Sequence, residues 1–178
     1  MSNLVMLDLN DTLIGSHRKD GFVTMWDEWF VLDGAVEAVQ SLQGAGFRTA
    51  VVTNQSAAHR FDGVSQRQME DLMAAQMEWW AEQLLEDLSW YICWHDKQYA
   101  CTCRKPGTTL LLNAMAWADA AVNRDRVWMV GDKPSDMEAG RAVGAEVIQV
   151  YKTSAPIVAE WDTSMAVAAR RIILREKL

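Results

Sequence analysis

The chain has 178 residues, of which half are hydrophobic and 23% charged, and it carries a formal charge of -7. This balance excludes a disordered segment, and its sign argues against a general nucleic-acid-coating protein, which would be basic. No apolar run approaches the ~20 residues of a membrane span, and Asp8 interrupts the stretch a secretory leader would need, so one cytoplasmic globular domain over residues 1–178 is expected.

Leu4-Val5-Met6-Leu7 opens a first strand over residues 4–9 that runs into Asp8, Asn10 and Asp11. Residues 35–45 carry Val36, Val39 and Leu42 at helical spacing, and Gly44 and Gly46 end that helix. A β-branched stretch at 47–53 reads as a second strand leading into Thr53-Asn54-Gln55, and Ser65 with Gln68 forms a capping-box pattern for a helix to about residue 87. Residues 90–93 form a short third strand before a compact Cys/His loop at 93–103 and Arg104-Lys105-Pro106. A helix over 108–121 precedes a fourth strand at 127–130 and the segment Gly131-Asp132-Lys133-Pro134-Ser135-Asp136. Ser135 with Glu138 starts the next helix, Gly144 stops it, a strand follows at 146–150, and residues 164–176 predict a closing amphipathic helix. Such alternation implies an α/β fold, a parallel sheet with helices on both faces. Ligands of such sheets bind beyond the carboxyl ends of the strands, where all the polar segments fall.

A buried strand that ends in carboxylates is costly unless the charges hold a metal or do chemistry. Asp8 supplies a carboxylate nucleophile, Thr53 and Asn54 a hydroxyl and an amide for a phosphate, Lys105 a cation, and Asp132 with Asp136 a second acidic site for a divalent metal. Asp136 reads equally as a first-turn acid favoured by the helix dipole. Asp11 is set aside, because one step along an extended strand turns a side chain to the opposite side. Arg18, Lys19, Arg60, Arg104, Lys105 and Lys133 lie near these segments, so cations are expected around one mouth suited to a small or locally held anion; solubilising loop charges are the alternative. The three cysteines lie in Cys93-x-His95 and Cys101-x-Cys103, five residues apart. An odd count argues against a disulfide framework, whereas three thiolates and an imidazole complete a closed, structural zinc set. Trp79, Trp80, Trp90 and Trp94 crowd this region; aromatic platforms can stack bases, but core packing is the stronger reading for Trp79 and Trp80, with Trp94 the one expected to be exposed. His59 and Arg60 are placed near a leaving group, with a surface pair as the alternative, and His17 is read as an ordinary loop residue.

Thr53-Asn54-Gln55-Ser56, Cys101-x-Cys103-Arg104-Lys105-Pro106 and Gly131-Asp132-Lys133-x-x-Asp136, together with Asp8, give the chain a pattern over residues 4–152 that resembles the haloacid-dehalogenase (HAD) superfamily. The likeness is strongest to the D,D-heptose 1,7-bisphosphate and histidinol-phosphate phosphatase group. Residues 8–14 and 53–55 are also similar to polynucleotide 3'-phosphatases. The resemblance implies a Rossmann-like HAD fold with a minimal cap and a zinc-binding loop. It implies a Mg2+-dependent phosphomonoester hydrolase working through an aspartyl phosphate on Asp8. Mg2+ would be held by Asp8, the main-chain carbonyl of Asn10 and Asp132, with Asp136 nearby or acting through water. Thr53 and Asn54 would hold phosphoryl oxygens, Lys105 would balance transition-state charge, and Arg104 and Arg60 would meet the substrate. Zn2+ on Cys93, His95, Cys101 and Cys103 would fix the loop leading into Arg104-Lys105. Asn10 departs from the pattern: these phosphatases generally place there an Asp that protonates the leaving group and then activates water, and an amide cannot move that proton. It is an introduced substitution, a natural loss of activity or a mark of a slow enzyme; an impaired site on a phosphatase scaffold is the favoured reading. The expected partner is a small sugar phosphate or similar molecule, with a nucleotide or polynucleotide 3'-phosphatase and a degenerate phospho-ligand-binding protein as alternatives. A monomer with no membrane association is expected.

Overall fold

In the computed structural model, which describes residues 2–122, 126–151 and 164–175, the chain runs through β1 (Leu4–Leu7), β2 (Ile14–Ser16), β3 (Trp29–Val31), α1 (Ala35–Gly44), β4 (Arg48–Asn54) and α2 (Gln66–Gln83). It continues through β5 (Ser89–Cys93), α3 (Thr109–Trp117), β6 (Val127–Gly131), α4 (Pro134–Ala142), β7 (Glu146–Gln149) and α5 (Met165–Arg175). Five strands form one parallel sheet in the order β5-β4-β1-β6-β7. β1 lies at its centre, and all four of its residues are buried, which is why it reads as an unbroken apolar run. Successive side chains still alternate between faces. Val5 and Leu7 join a core with residues of α1, α2 and α5, whereas Leu4 and Met6 join one with residues of α3 and α4. The parallel sheet covered on both faces is thus as the sequence implies, and no helix among the described residues is long and apolar enough to cross a membrane.

The element ends differ from the sequence reading for local reasons. β1 stops at Leu7 rather than residue 9, because the Leu9 carbonyl accepts from Leu13 (2.8 Å) and Ile14 (3.0 Å) and folds the chain into a tight turn. α2 stops at Gln83 rather than near residue 87: Gln40 of α1 donates to the Gln83 carbonyl (2.6 Å), and Gln43 exchanges bonds with the Glu86 backbone (3.0 and 3.3 Å). α3 ends at Trp117 rather than residue 121. The Asp119 and Ala120 N–H groups return to Ala116 (3.2 Å) and Met115 (2.9 Å), with Asp119 at φ 48, a Schellman stop made without glycine. α4 opens at Pro134, and Ser135 is not its cap; the Asp136 carboxylate accepts from the Lys133 N–H (2.9 Å). Gly144 closes that helix in a left-handed turn (φ 80), as expected. The last residue of the expected closing helix, Glu176, lies outside the described residues.

A small antiparallel hairpin, β2 with β3, was not visible in the sequence; its strands are three residues each and follow no long alternation. It is small enough for the minimal cap that the resemblance implies. The long helix α2 is not part of it, since Met69, Leu72, Met73 and Trp80 are buried in the main core. The tryptophans follow the packing reading: Trp80 is buried, and Trp79, Trp90 and Trp94 pack against the same core. Trp94 is therefore half-buried rather than exposed, and Tyr99 is the exposed aromatic of the Cys/His loop.

Candidate active site

The order β4-β1-β6 lays the carboxyl ends of three strands side by side, so residues far apart in sequence meet. Asp8 follows β1 and is held by its N–H to the Val130 carbonyl (2.9 Å); Thr53 and Asn54 end β4, and Asp132 follows β6. A cleft of about 380 Å³ opens there. Asp8, Asn10, Thr53, Asn54, Arg60, Arg104, Lys105 and Asp136 all line it, as do Lys133 and Asp11.

Lys105 is the electrostatic centre. Its side chain is buried and its Nζ donates to Asp8 (2.6 Å), Asp136 (2.7 Å) and the Val52 carbonyl (2.6 Å). An ammonium has three N–H donors, and each has a partner here. Burial opposes its charge, but the Asp8 and Asp136 carboxylates outweigh that and hold its pKa above the ordinary lysine value. Its backbone is fixed as well: the Asn54 amide accepts from the Lys105 N–H (3.0 Å) and donates to the Lys105 carbonyl (3.2 Å). Asn54 thus ties the end of β4 to the lysine loop.

The carboxylates sit close together. One oxygen from each of Asp8, Asp132 and Asp136 lies within 4.8 Å of the others. Burial and the neighbouring Asp8 charge raise Asp132 to about 6, against the pull of Lys133 at 3.1 Å. Burial and Asp8 likewise push Asp136 up, although Lys105 opposes them. Gly131 makes this crowding feasible, since a Cβ there would stand 2.4 Å from an Asp136 oxygen. Three acids against two lysines leave an excess of negative charge. A hard cation with oxygen ligands at about 2.1 Å, whose opposite ligands lie about 4.2 Å apart, fits this donor set.

The Asn10 side chain is tied to Gln55: its Oδ1 accepts from Gln55 Nε2 (2.7 Å), which also lies 3.0 Å from Thr53 Oγ1. Asp11 does not lie on an extended strand. It sits at φ 61 in the turn after β1, so the reasoning that set it aside does not apply, and it lines the cleft beside Asn10. Of the cations expected at the mouth, Arg60, Arg104, Lys105 and Lys133 line the cleft. Arg18 is engaged by Asp20 (2.7 Å) and Glu28 (3.1 Å), and neither it nor Lys19 lines it. The His59 ring lies tilted beside Tyr99 (5.1 Å) and that of His17 beside Phe30 (4.7 Å), and neither lines the cleft.

Beside the cleft, Cys93, His95, Cys101 and Cys103 cluster, with all three cysteines unbridged. Their sulfur–sulfur separations are 3.3, 3.4 and 3.7 Å, and the His95 ring nitrogen lies 3.2 Å from Cys103 and 3.7 Å from Cys93. Tetrahedral zinc with ~2.3 Å bonds would space its sulfurs about 3.8 Å apart, so the cluster fits that ion with little adjustment. Burial pushes the Cys93 thiol up to about 12, while at Cys101 the Arg104 N–H and the neighbouring sulfurs outweigh burial and bring it to about 7. The Cys93 carbonyl accepts from Gln55 N–H (2.7 Å) and the His95 carbonyl from Arg104 (2.9 Å), so the loop is bonded to the cleft wall on two sides.

The sequence reading gave no role to several residues that shape the cleft. Gln55 fixes Asn10, and Asp20, Gly21 and Phe22 reach the cleft from the loop between β2 and β3. Gln55 had a signal, its place beside Thr53-Asn54; Phe22 had none, because its approach depends on a hairpin with no sequence signature.

Known proteins resemble the chain in sequence and in fold. The D-glycero-beta-D-manno-heptose-1,7-bisphosphate 7-phosphatase of Pasteurella multocida is 30% identical over 168 residues, covering 88% of this chain and 85% of the relative. The enzyme of the same name from Pseudomonas putida is 33% identical over 147 residues, covering 83% and 81%. In fold, the chain is similar to the crystal structure of D,D-heptose 1,7-bisphosphate phosphatase from B. bronchiseptica complexed with magnesium and phosphate, with a TM-score of 0.77, 22% identity, and coverage of 97% and 99%. The sequence pattern of the haloacid dehalogenase-like hydrolases matches residues 3–144, and the chain belongs to that family.

Proposed function

We propose that the chain is a Mg2+-dependent phosphomonoesterase acting on a sugar phosphate of the heptose bisphosphate kind, and that Asn10 makes it slow. The observation that carries this reading is the convergence of three carboxylates within 4.8 Å around a buried lysine 2.6 Å from Asp8. The names of its relatives point to the substrate class.

Asp8 attacks phosphorus, the ester P–O bond breaks, and an aspartyl phosphate forms while the alcohol departs. Water then attacks that phosphorus, the bond to Asp8 breaks, and inorganic phosphate leaves with the carboxylate restored. Two easier displacements replace one difficult one. Lys105 holds Asp8 in one orientation and supplies a fixed positive charge beside the phosphoryl group. With its three donors already engaged, it acts through its field rather than by direct contact in this state. Thr53, with the Asn54 backbone, holds phosphoryl oxygens, and the Asn54 side chain keeps Lys105 in place. Arg60, Arg104 and Lys133 attract the anion. Asp8, the Asn10 carbonyl and Asp132 would hold Mg2+, with Asp136 beside them; the ion supplies neutralisation of the carboxylate–phosphate repulsion. The Cys/His cluster would hold structural Zn2+. Asn10 keeps the Gln55 hydrogen bond but cannot give or take a proton, so the leaving group draws its proton from solvent.

The test is phosphate release from sugar phosphates, nucleotides and 3'-phosphorylated oligonucleotides, by this chain and by Asn10→Asp, with and without Mg2+. Mg2+-dependent release that favours sugar phosphates is expected. Release from none of them by either protein, or release that survives Asp8→Asn, refutes the reading.

A further inference from the structure

Arg60 follows β4, in the stretch after the phosphate-holding segment, yet its partners come from two other parts of the chain. Its Nε donates to Asp96 Oδ2 at 2.7 Å, and Asp96 is the buried residue directly after His95 in the Cys/His loop. Its guanidinium lies 5.2 Å from the centre of the Phe22 ring, which comes from the loop joining β2 and β3. Phe22 is itself held in place. Its N–H donates to Asp20 (3.0 Å), its carbonyl accepts from Ser16 (2.6 Å), and its ring meets Phe61 edge-on at 5.1 Å. Asp96 is anchored as the cap of its own short turn, accepting from the Gln98 N–H (3.4 Å). Arg60 and Phe22 both line the cleft, whereas Asp96 does not.

An arginine gripped through Nε and stacked on a ring keeps a planar fork of terminal N–H donors in one orientation, which suits an oxyanion. The stack also lowers the entropy lost when those donors bind, since the long side chain is already ordered. Lys105 and Asp8 line the same cleft. We propose that Asp96 is a positioning residue for Arg60, so that the Cys/His loop and the hairpin together set the cleft's affinity for an oxyanion on the leaving-group side of the substrate. This rests on the phosphatase reading for its substrate, but the Asp96–Arg60–Phe22 clasp itself does not.

The experiment therefore has two arms, both on the metal-loaded chain. In the first, the Arg60 Nε–H signal is followed by 15N NMR and assigned by its loss in Arg60→Lys. A slowly exchanging signal that is lost or exchange-broadened in Asp96→Asn is expected; a signal that Asp96→Asn leaves unchanged overturns the clasp whether or not the protein is a phosphatase. In the second, binding of fructose 1,6-bisphosphate and of inorganic phosphate is measured by calorimetry with Mg2+ present. Asp96→Asn should weaken the bisphosphate at least tenfold and inorganic phosphate less than twofold. Asp96→Asn/Arg60→Lys should be no weaker than Arg60→Lys alone, because Asp96 acts through Arg60. Equal losses for both ligands, additive losses in the double variant, or a parent chain that binds the bisphosphate no more tightly than phosphate overturns the proposal. Zinc content and melting temperature are read on each variant, and a drop in either for Asp96→Asn that accounts for the affinity loss assigns Asp96 a structural role and also overturns it. Failure of Mg2+-dependent phosphate release with the clasp intact counts against the phosphatase reading alone.

Discussion

Asn10→Asp is the sharpest perturbation available. The side chain lines the cleft, and its oxygen already accepts a hydrogen bond from Gln55 at 2.7 Å, so a carboxylate can take its place without moving Gln55 or Thr53. What changes is the ability to carry a proton. General acid–base assistance is worth roughly 100- to 10,000-fold, or about 3–5 kcal/mol of barrier. Two local effects set where in that range the gain falls. Burial is the main cause that raises Asp132 and Asp8 adds to it; the nearby carboxylates would likewise push a new acid at position 10 upward. The Gln55 donor favours its ionised form and works the other way. Because p-nitrophenolate departs with little need of a proton, p-nitrophenyl phosphate reads only part of that assistance, and a gain of at least tenfold in kcat is expected in a steady-state assay with saturating Mg2+. Asp8→Asn in either background should abolish release and so tie the activity to this site. An unchanged kcat in Asn10→Asp, with Asp8→Asn still inactive, would refute the assignment of the proton-carrying role to position 10.

Mg2+ affinity should rise with pH and level off above 7. A ligand carboxylate must be ionised to bind, and with Asp132 at about 6, affinity at pH 5 should be about tenfold below the plateau, read by calorimetry at pH 5, 6 and 7.5; a flat profile counts against Asp132 as a ligand. Lys105→Met leaves Asp8 and Asp136 buried without their cation, and should cost about 3–5 kcal/mol in urea unfolding and eliminate turnover; a loss below about 1 kcal/mol would mean that this pair is far less dependent on the lysine than its burial implies. Gly131→Ala places a methyl group against the Asp136 carboxylate and should reduce kcat by about a hundredfold or more with the sheet intact by circular dichroism. Asp11→Gly relieves a left-handed backbone and should raise stability by about 1 kcal/mol; a simultaneous fall in activity would show that the strained carboxylate serves the cleft. One zinc per chain is expected by metal analysis, falling to background in Cys103→Ser.

The sheet was legible because its central strands are buried on both faces and therefore read as unbroken apolar runs. The candidate site residues were legible for the same reason: polar groups directly after such runs stand out, and parallel topology forces them to one edge. Helix ends were less so, because α2 is stopped by Gln40 and Gln43 reaching across from α1, a contact no local pattern encodes. The hairpin was invisible, and with it Phe22. Position 11 failed differently: the alternation rule is sound on a strand, but β1 had already ended at Leu7, and the turn beyond it placed Asp11 on the cleft.

That last difference bears on how the site tolerates Asn10. A phosphatase cleft that loses a carboxyl loses a proton carrier, but it also loses a negative charge beside a cluster in which burial, with the Asp8 charge added, already lifts Asp132 to about 6 and Asp136 above its ordinary value. Asn10 keeps the Gln55 hydrogen bond while sparing the cluster a further acid, so the metal-free chain should be more stable with Asn than with Asp at this position. On the proposed reading, a lower rate and a higher stability would both follow from that one missing charge. Asn10→Asp should accordingly lower the melting temperature of the metal-free chain, and Mg2+ should recover more of it than it does for the parent. If magnesium stabilises both proteins equally, position 10 does not share the field of Asp8 and Asp132, and the asparagine must be explained by something other than charge.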